Sequence, residues 1–379
     1  MSITFSFLLT LISTISIACG GGESIRTPKK LFLLQPGKGP GQLALSSAVQ
    51  NNGDLLPLQS GEINFDSRRI TIIDPINKKI MILNDDGSLI KEHPLPEKSG
   101  AQFYTSLAVD SAGRIFFLSA RNTEKGRAFA LWSIHKQNSK KILEMKTKVT
   151  EKSEGKIQTT VTSLPTALAP LDDDSLAVVW KSMIVKTARN PKTGVNEYIY
   201  SAYTVSNLQI LNHTTGEIRA FELQPSFFKD RAGKGYLFRR IDRVRPLSGG
   251  QRVLINTDYI SSKNSREVRR LLFSVSLKDG SAQKIPIPDS SWNGILGVTE
   301  SDRIYTLDRV YSRGYKTRAS ISIWKISGKK LLTFRIESDP VSRISGGLFL
   351  SRDGTLFSFQ WIRSTIYTKR KGIQFLSWK

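Results

Sequence analysis

From residue 61 onward, apolar positions fall in short runs that alternate with polar ones or stay apolar for four or five residues. Amphipathic helical spacing is hard to find, so the pattern predicts an all-β chain. One unit recurs. Its second strand opens on a polar residue and continues with branched or aromatic ones: Arg69–Asp74, Arg114–Ser119, Ser175–Trp180, Arg252–Asn256, Arg303–Asp308 and Thr355–Gln360. A shorter apolar strand and a turn precede each copy, the turns including Asp110–Gly113, Asp172–Asp174 and Arg352–Gly354. A third strand follows: Lys79–Leu83, Ala130–Ile134, Leu208–Leu211, Leu272–Ser276 and Ile321–Trp324. After it come a second turn, with Asp86-Gly87, Thr215-Gly216, Asp279-Gly280 or Ser327-Gly328, and a fourth strand. Gly, Asp, Asn and Ser are the residues that tight turns between antiparallel strands require. Six repeats of four antiparallel strands predict a β-propeller with six blades, the alternatives being seven blades or a sandwich.

The two ends of the chain predict how the ring closes. The last copy stops after its third strand, at Gly372–Trp378, and Lys30–Leu34 is expected to supply the fourth. A blade built from both ends removes exposed sheet edges. The propeller is therefore expected over residues 30–379. A chain of 379 residues suggests about two domains by length alone, but repeat architectures escape that rule.

The segment Gly37-Lys-Gly-Pro-Gly-Gln-Leu43, followed by Ile70-Thr-Ile-Ile-Asp-Pro-Ile-Asn-Lys-Lys-Ile-Met-Ile-Leu-Asn-Asp-Asp-Gly87, resembles the NHL-type repeats of six-bladed propellers. Many bacterial lipoproteins carry such rings. The likeness is clear in the first blade, loose in the second, and fades into a general blade pattern after residue 155. Its residues are turn glycines and strand apolars, so it implies a fold and not an activity.

Residues 2–18 carry no charge, and Phe5–Ile12 form a mostly apolar core that leads to Ala18 and Cys19, the single cysteine of the chain. This is the outline of a secretory signal. It resembles a bacterial lipobox, in which the cysteine is lipidated and becomes the first mature residue. The match lacks a basic residue before the apolar core and has Ser16 where a lipobox carries Leu, Val or Ile. The organisation expected is a signal peptide over 1–18, a tether over 19–29 behind a lipidated Cys19, and the ring. The protein is then exported and held at the bacterial cell envelope, at the outer membrane or cell surface. A cleaved soluble signal and a buried N-terminal strand are the alternatives.

Charge adds a second expectation. Lys and Arg total 56 against 32 Asp and Glu, a net +24. In a propeller, the connections between second and third strands emerge on one face, and in blades two to six they are long. Residues 120–128, 181–204, 258–270, 308–319 and 362–372 together hold nineteen basic and five acidic residues, with tyrosines among them. The candidate basic face comprises Arg121, Lys125 and Arg127; Lys186, Arg189 and Lys192; Arg266, Arg269 and Arg270; Arg313, Lys316 and Arg318; and Lys369, Arg370 and Lys371. Long loops on a rigid scaffold are where binding concentrates, and Arg forks match carboxylate, sulfate and phosphate. An anionic glycan, lipopolysaccharide, anionic lipid or an acidic protein is the expected partner, beside the membrane itself. Nucleic acid fits the charge but not an exported chain. A solvated basic surface without a ligand is the bland alternative.

No catalytic constellation, metal site or cofactor fingerprint stands out, so a binding or scaffold module is expected in preference to an enzyme. A lactonase-like hydrolase, or a periplasmic assembly scaffold, is the alternative. Likeness to lactonase-like propellers would imply calcium in the channel, with Asp66, Asp110 and Glu300 as candidates, though each also suits a tight turn. Asp172–Asp174 lacks the spacing of a calcium loop and reads as a turn. His93, His135 and His213 fall in different elements. Trp132, Trp324 and Trp378 recur near the ends of third strands, a spacing that suits packing between blades.

Overall fold

The computed structural model describes residues 24–35, 38–42, 63–66, 69–96, 103–124, 126–136, 138–190, 193–264, 266–288, 292, 294–313, 316–337, 348–363 and 370–378. The expected signal peptide and Cys19 lie outside them. Six small sheets stand in a ring, forming a six-bladed β-propeller.

The chain opens with β1 (Ser24–Arg26) and β2 (Lys29–Leu34), then builds blades from the channel outward. Blade one is β3 (Ile63–Asp66), β4 (Arg69–Asp74), β5 (Lys79–Asn84) and β6 (Leu89–Pro94). Blade two is β7 (Phe103–Val109), β8 (Ile115–Thr123), β9 (Gly126–His135) and β10 (Asn138–Lys146). Blade three has five strands: β11 (Lys148–Glu154), β12 (Ile157–Pro170), β13 (Ser175–Arg189), β14 (Asn196–Asn212) and β15 (Ile218–Glu222). Blade four is β16 (Tyr236–Pro246), β17 (Arg252–Ser261), β18 (Val268–Ser276) and β19 (Ala282–Ile285). Blade five is β20 (Gly294–Val298), β21 (Arg303–Arg313), β22 (Lys316–Lys325) and β23 (Lys330–Glu337), with β1 added outside β23. Blade six is β24 (Phe349–Leu350), β25 (Leu356–Arg363), β26 (Arg370–Trp378) and, outermost, β2.

The core is divided into six clusters, one at each junction between blades. Alternation along a strand sends neighbouring residues to opposite faces. Ile70 and Ile72 pack with Phe357 and Phe375 of blade six, whereas Ile73 packs with Phe117 and Trp132 of blade two. In β8, Phe116 and Leu118 turn to Leu168, Val178 and Trp180 of blade three. Every blade is thus covered on both faces, which is why its strands read as unbroken apolar runs. The tryptophans are packing residues: Trp132 joins blades one and two, Trp324 joins four and five, and Trp378 joins five and six. Trp132 Nε1 donates to Ser119 Oγ at 3.0 Å and Trp324 Nε1 to Thr306 Oγ1 at 2.9 Å.

The ring closes as expected. β2 lies antiparallel to β26, with Lys30 opposite Leu376 and Leu34 opposite Ile373, and Phe32 stacks on Phe375 at 4.6 Å. One expectation is corrected. Part of the presumed tether is a strand, because Ser24–Arg26 pairs in parallel with Phe334–Ile336 of blade five, and Arg26 sits 4.0 Å over the Phe334 ring. The glycine run then docks on blade one. Lys79 Nζ bonds Gly39 O at 2.9 Å and Glu92 at 2.6 Å, and Gly41 N donates to the same Glu92 oxygen at 2.9 Å. Residues 24–41 therefore strap three consecutive blades: five, six and one.

Short turns tie neighbouring blades on the face opposite the ribbons. Asp110 is buried and bonds Arg114 through the backbone N at 2.8 Å and Nε at 2.6 Å. Arg114 and Ser111 in turn bond Asp173 of the next blade. Asp172 accepts from Asp174 N, and Asp174 from Thr214 Oγ1. Ser248 bonds Asp302 through both N and Oγ, and Glu300 N donates to Arg352 O. Asp110, a calcium candidate, and Asp172–Asp174, read as a turn, thus serve as turn and inter-blade fasteners.

Candidate functional site: the basic ribbon face and the channel mouth

Much of the connections expected as loops is hydrogen-bonded ribbon, because second and third strands stay paired beyond their apolar stretches. In blade three β13 and β14 pair from Ser175–Asn212 to Arg189–Asn196, and β11 with the first half of β12 widens this arm to four strands. Arg313 pairs with Lys316 at the tip of blade five, and Arg363 with Arg370 in blade six.

The structure sorts the expected site residues. Lys186, Arg189, Arg266 and Arg318 are exposed, as is Arg127, which lies 5.0 Å over the Phe103 ring. Arg121 pairs with Glu144 at 3.5 Å. Arg269 has a structural role: it stacks over Tyr236 at 4.0 Å and donates to Ala232 O at 2.7 Å. Arg270 approaches Asp258 at 3.6 Å. Arg313 and Lys316 lie on blade five's ribbon and Arg370 and Lys371 on β26. Lys125, Lys192 and Lys369 fall outside the described residues. Tyr198 and Tyr203 of the blade-three arm are exposed beside Val195 and Ile199, so this arm offers aromatic and aliphatic surface as well as charge.

A denser cluster lies lower, on the innermost strand of blade four. Arg240 Nε bonds the buried Asp258 at 2.8 Å and its Nη2 lies 3.6 Å from Asp242. Arg243 Nε lies 3.7 Å from Asp242, and its Nη1 donates to Ile295 O of blade five at 3.1 Å. Arg245 lies deeper along the same strand, and its one hydrogen bond among the described residues goes to Val244 O at 3.2 Å. Lys181 of blade three, just past the register shift after the buried Trp180, pairs with Val205 beside Thr204, whose hydroxyl accepts from Ile241 N of blade four at 3.0 Å. Burial pushes the Lys181 ammonium below its ordinary pKa; Asp242 opposes this, while Arg243, Arg245 and Arg240 add to it. Burial, followed by Arg243, brings Arg245 down to about 10. With Arg270, five cations share two carboxylates.

The sequence carried a signal for this cluster. The first strands of blades two and five read Phe-Tyr-Thr-Ser-Leu-Ala-Val and Gly-Ile-Leu-Gly-Val, whereas that of blade four contains Arg239-Arg240-Ile241-Asp242-Arg243-Val244-Arg245. Elsewhere, a cavity of about 950 Å³ opens between blades four and five, lined by Arg252, Arg269, Gln283, Lys284, Pro286 and Ile326 among others. Among the described residues, no three His, Cys, Asp or Glu side chains gather as a metal site requires, and no helix is long and apolar enough to cross a membrane.

No protein-family model matches this chain, and no curated protein matches it. Solved structures are similar to it at low identity. A member of the duf4221 family from Bacteroides vulgatus is 11% identical with a TM-score of 0.39, over 93% of this chain and 97% of that one. A gluconolactonase from Xanthomonas campestris is 12% identical with a TM-score of 0.36, over 85% and 87%. A dipeptidyl peptidase 4 from Porphyromonas gingivalis is 10% identical with a TM-score of 0.38 over 79% of this chain, which spans half the length of that peptidase. None of these proteins' activities transfers to this chain at such identities.

Proposed function

We propose that this propeller is a binding or scaffold module that presents its basic ribbon face to a polyanion: an anionic glycan, lipopolysaccharide or acidic protein. The ring is exported and held at the bacterial cell envelope through a lipid on Cys19. The supporting observation is convergence. Ribbons from blades two to six leave the ring on one side, and the exposed Arg127, Lys186, Arg189, Lys263 and Arg266 lie on three of them. Cations held on paired strands lose less freedom on binding than cations on open loops. The anchoring rests on the uncharged leader and the single cysteine.

The test is retention on immobilised heparin. Wild-type protein is compared with a variant carrying Arg127, Lys186, Arg189, Lys263 and Arg266 all changed to Glu. The variant is expected to elute at markedly lower NaCl with unchanged circular dichroism. Elution of both at the same salt would remove the ribbon face from consideration.

A further inference from the structure

We propose that the channel mouth between blades three and four holds an oxyanion site, in which Lys181, Arg240, Arg243 and Arg245 bind one carboxylate, sulfate or phosphate group. The inference rests on the reading of the ring as an anion-binding module and names the group that module grips most closely.

The cluster contains more positive charge than fold stability alone accounts for. Asp258 is spent on Arg240 and Arg270, and Asp242 is shared by Arg240, Arg243 and Asn256, whose Nδ2 lies 3.3 Å away. Among the described residues no hydrogen bond or ion pair of the Lys181 side chain is found, and the Arg245 side chain bonds only the Val244 carbonyl. Two partly buried cations thus feel both Arg243 and the partly exposed carboxylate of Asp242. Burial is the first cause of the lowered pKa values of Lys181 and Arg245, and repulsion from Arg243 adds to it in both. An added oxyanion relieves that repulsion, and guanidinium forks match the planar or tetrahedral oxygen sets of these groups. The framework is rigid. Arg243 is held to blade five by Ile295 O, and Arg240 by Asp258, so the donors are placed before a ligand arrives. Asp242 at the centre sets selectivity: a group that brings less charge than it displaces gains little.

The test uses the mature chain and three probes: inorganic sulfate, inorganic phosphate and glucuronate. Each is titrated by calorimetry at constant ionic strength in a chloride background. At least one probe is expected to bind saturably, and the tightest one identifies whether the natural group is a sulfate, a phosphate or a sugar carboxylate. Lys181→Met is expected to weaken that probe roughly tenfold, the scale of one charge-assisted hydrogen bond. Asp242→Asn is expected to tighten it, an opposite sign that loss of folding cannot mimic. The five-residue ribbon variant keeps this binding even though it leaves heparin early, which separates the two claims. Absence of saturable binding by all three probes, or affinities unmoved by both Lys181→Met and Asp242→Asn, would overturn the site.

Discussion

At the scale of single residues, two histidines make the fold sensitive to acid. His93 is buried in β6; burial, followed by Lys91, lowers its pKa. His213 rests 5.3 Å from the Phe116 ring with its Nε2 buried and unpartnered; burial, followed by Arg114, lowers its pKa as well. Both take up a proton less readily in the fold than in the unfolded chain, so the unfolded chain binds more protons as pH falls through the ordinary histidine value near 6.5, and stability declines with it. Urea midpoints at pH 7.5 and 5.5 should show the loss, and a His93→Gln, His213→Gln double variant should flatten it. An equal loss in the double variant would assign the pH dependence to other groups. The turns were readable from the sequence because Asp110 bonds Arg114 and Asp172 bonds Asp174, both close in the chain, whereas the bonds of Asp173 to Ser111 and Arg114 and of Asp174 to Thr214 join distant segments and were not. The charged run of β16 was visible as a run, but not its partners, since Asp258 lies on the next strand and Lys181 on another blade.

Elements show the same division. Strand alternation and turn chemistry predicted six second strands and the closing strand, because both signals are local. The ribbons were misread as loops: their pairing continues through residues that are polar, basic or aromatic, where the burial that marks a strand has ended. β1 was missed because three residues, Ser24–Arg26, carry no period. The closing strand makes a sharp prediction. Gly87, in the turn between β5 and β6, has φ of 85°, and a Cβ there would lie 2.4 Å from Phe32 Cγ. Gly216 has φ of 78° with open space around it. Gly216→Ala should cost only left-handed backbone strain, about 1 kcal/mol, whereas Gly87→Ala adds overpacking and should cost about 2–4 kcal/mol. Proteolysis within residues 24–34 should accelerate in the second variant alone; equal costs for both would show that β2 yields freely to blade one.

For the whole molecule, ring closure makes stability a shared property, since each of the six clusters belongs to two blades. The strap also bears on the proposed anchor. Only residues 20–23 separate Cys19 from β1, a span of roughly 14 Å when fully extended. A lipid on Cys19 would hold the outer rim of blade five against its membrane. Cys19→Ser should move the protein from the detergent phase to the aqueous phase in a Triton X-114 partition with the fold intact; retention in the detergent phase would refute the anchor.

The same strap has a consequence in time. Phe32 O accepts a hydrogen bond from Gln374, 342 positions further along the chain. At synthesis rates of about 5–20 residues per second, β2 exists for roughly 17–70 s before its partner β26 has been made. Through that interval its edge is open, and Lys29 and Lys30 at its head supply the charge that discourages pairing with a stranger. A strand made before all six blades is thus seated after them, so the ring is completed only once β26 has emerged.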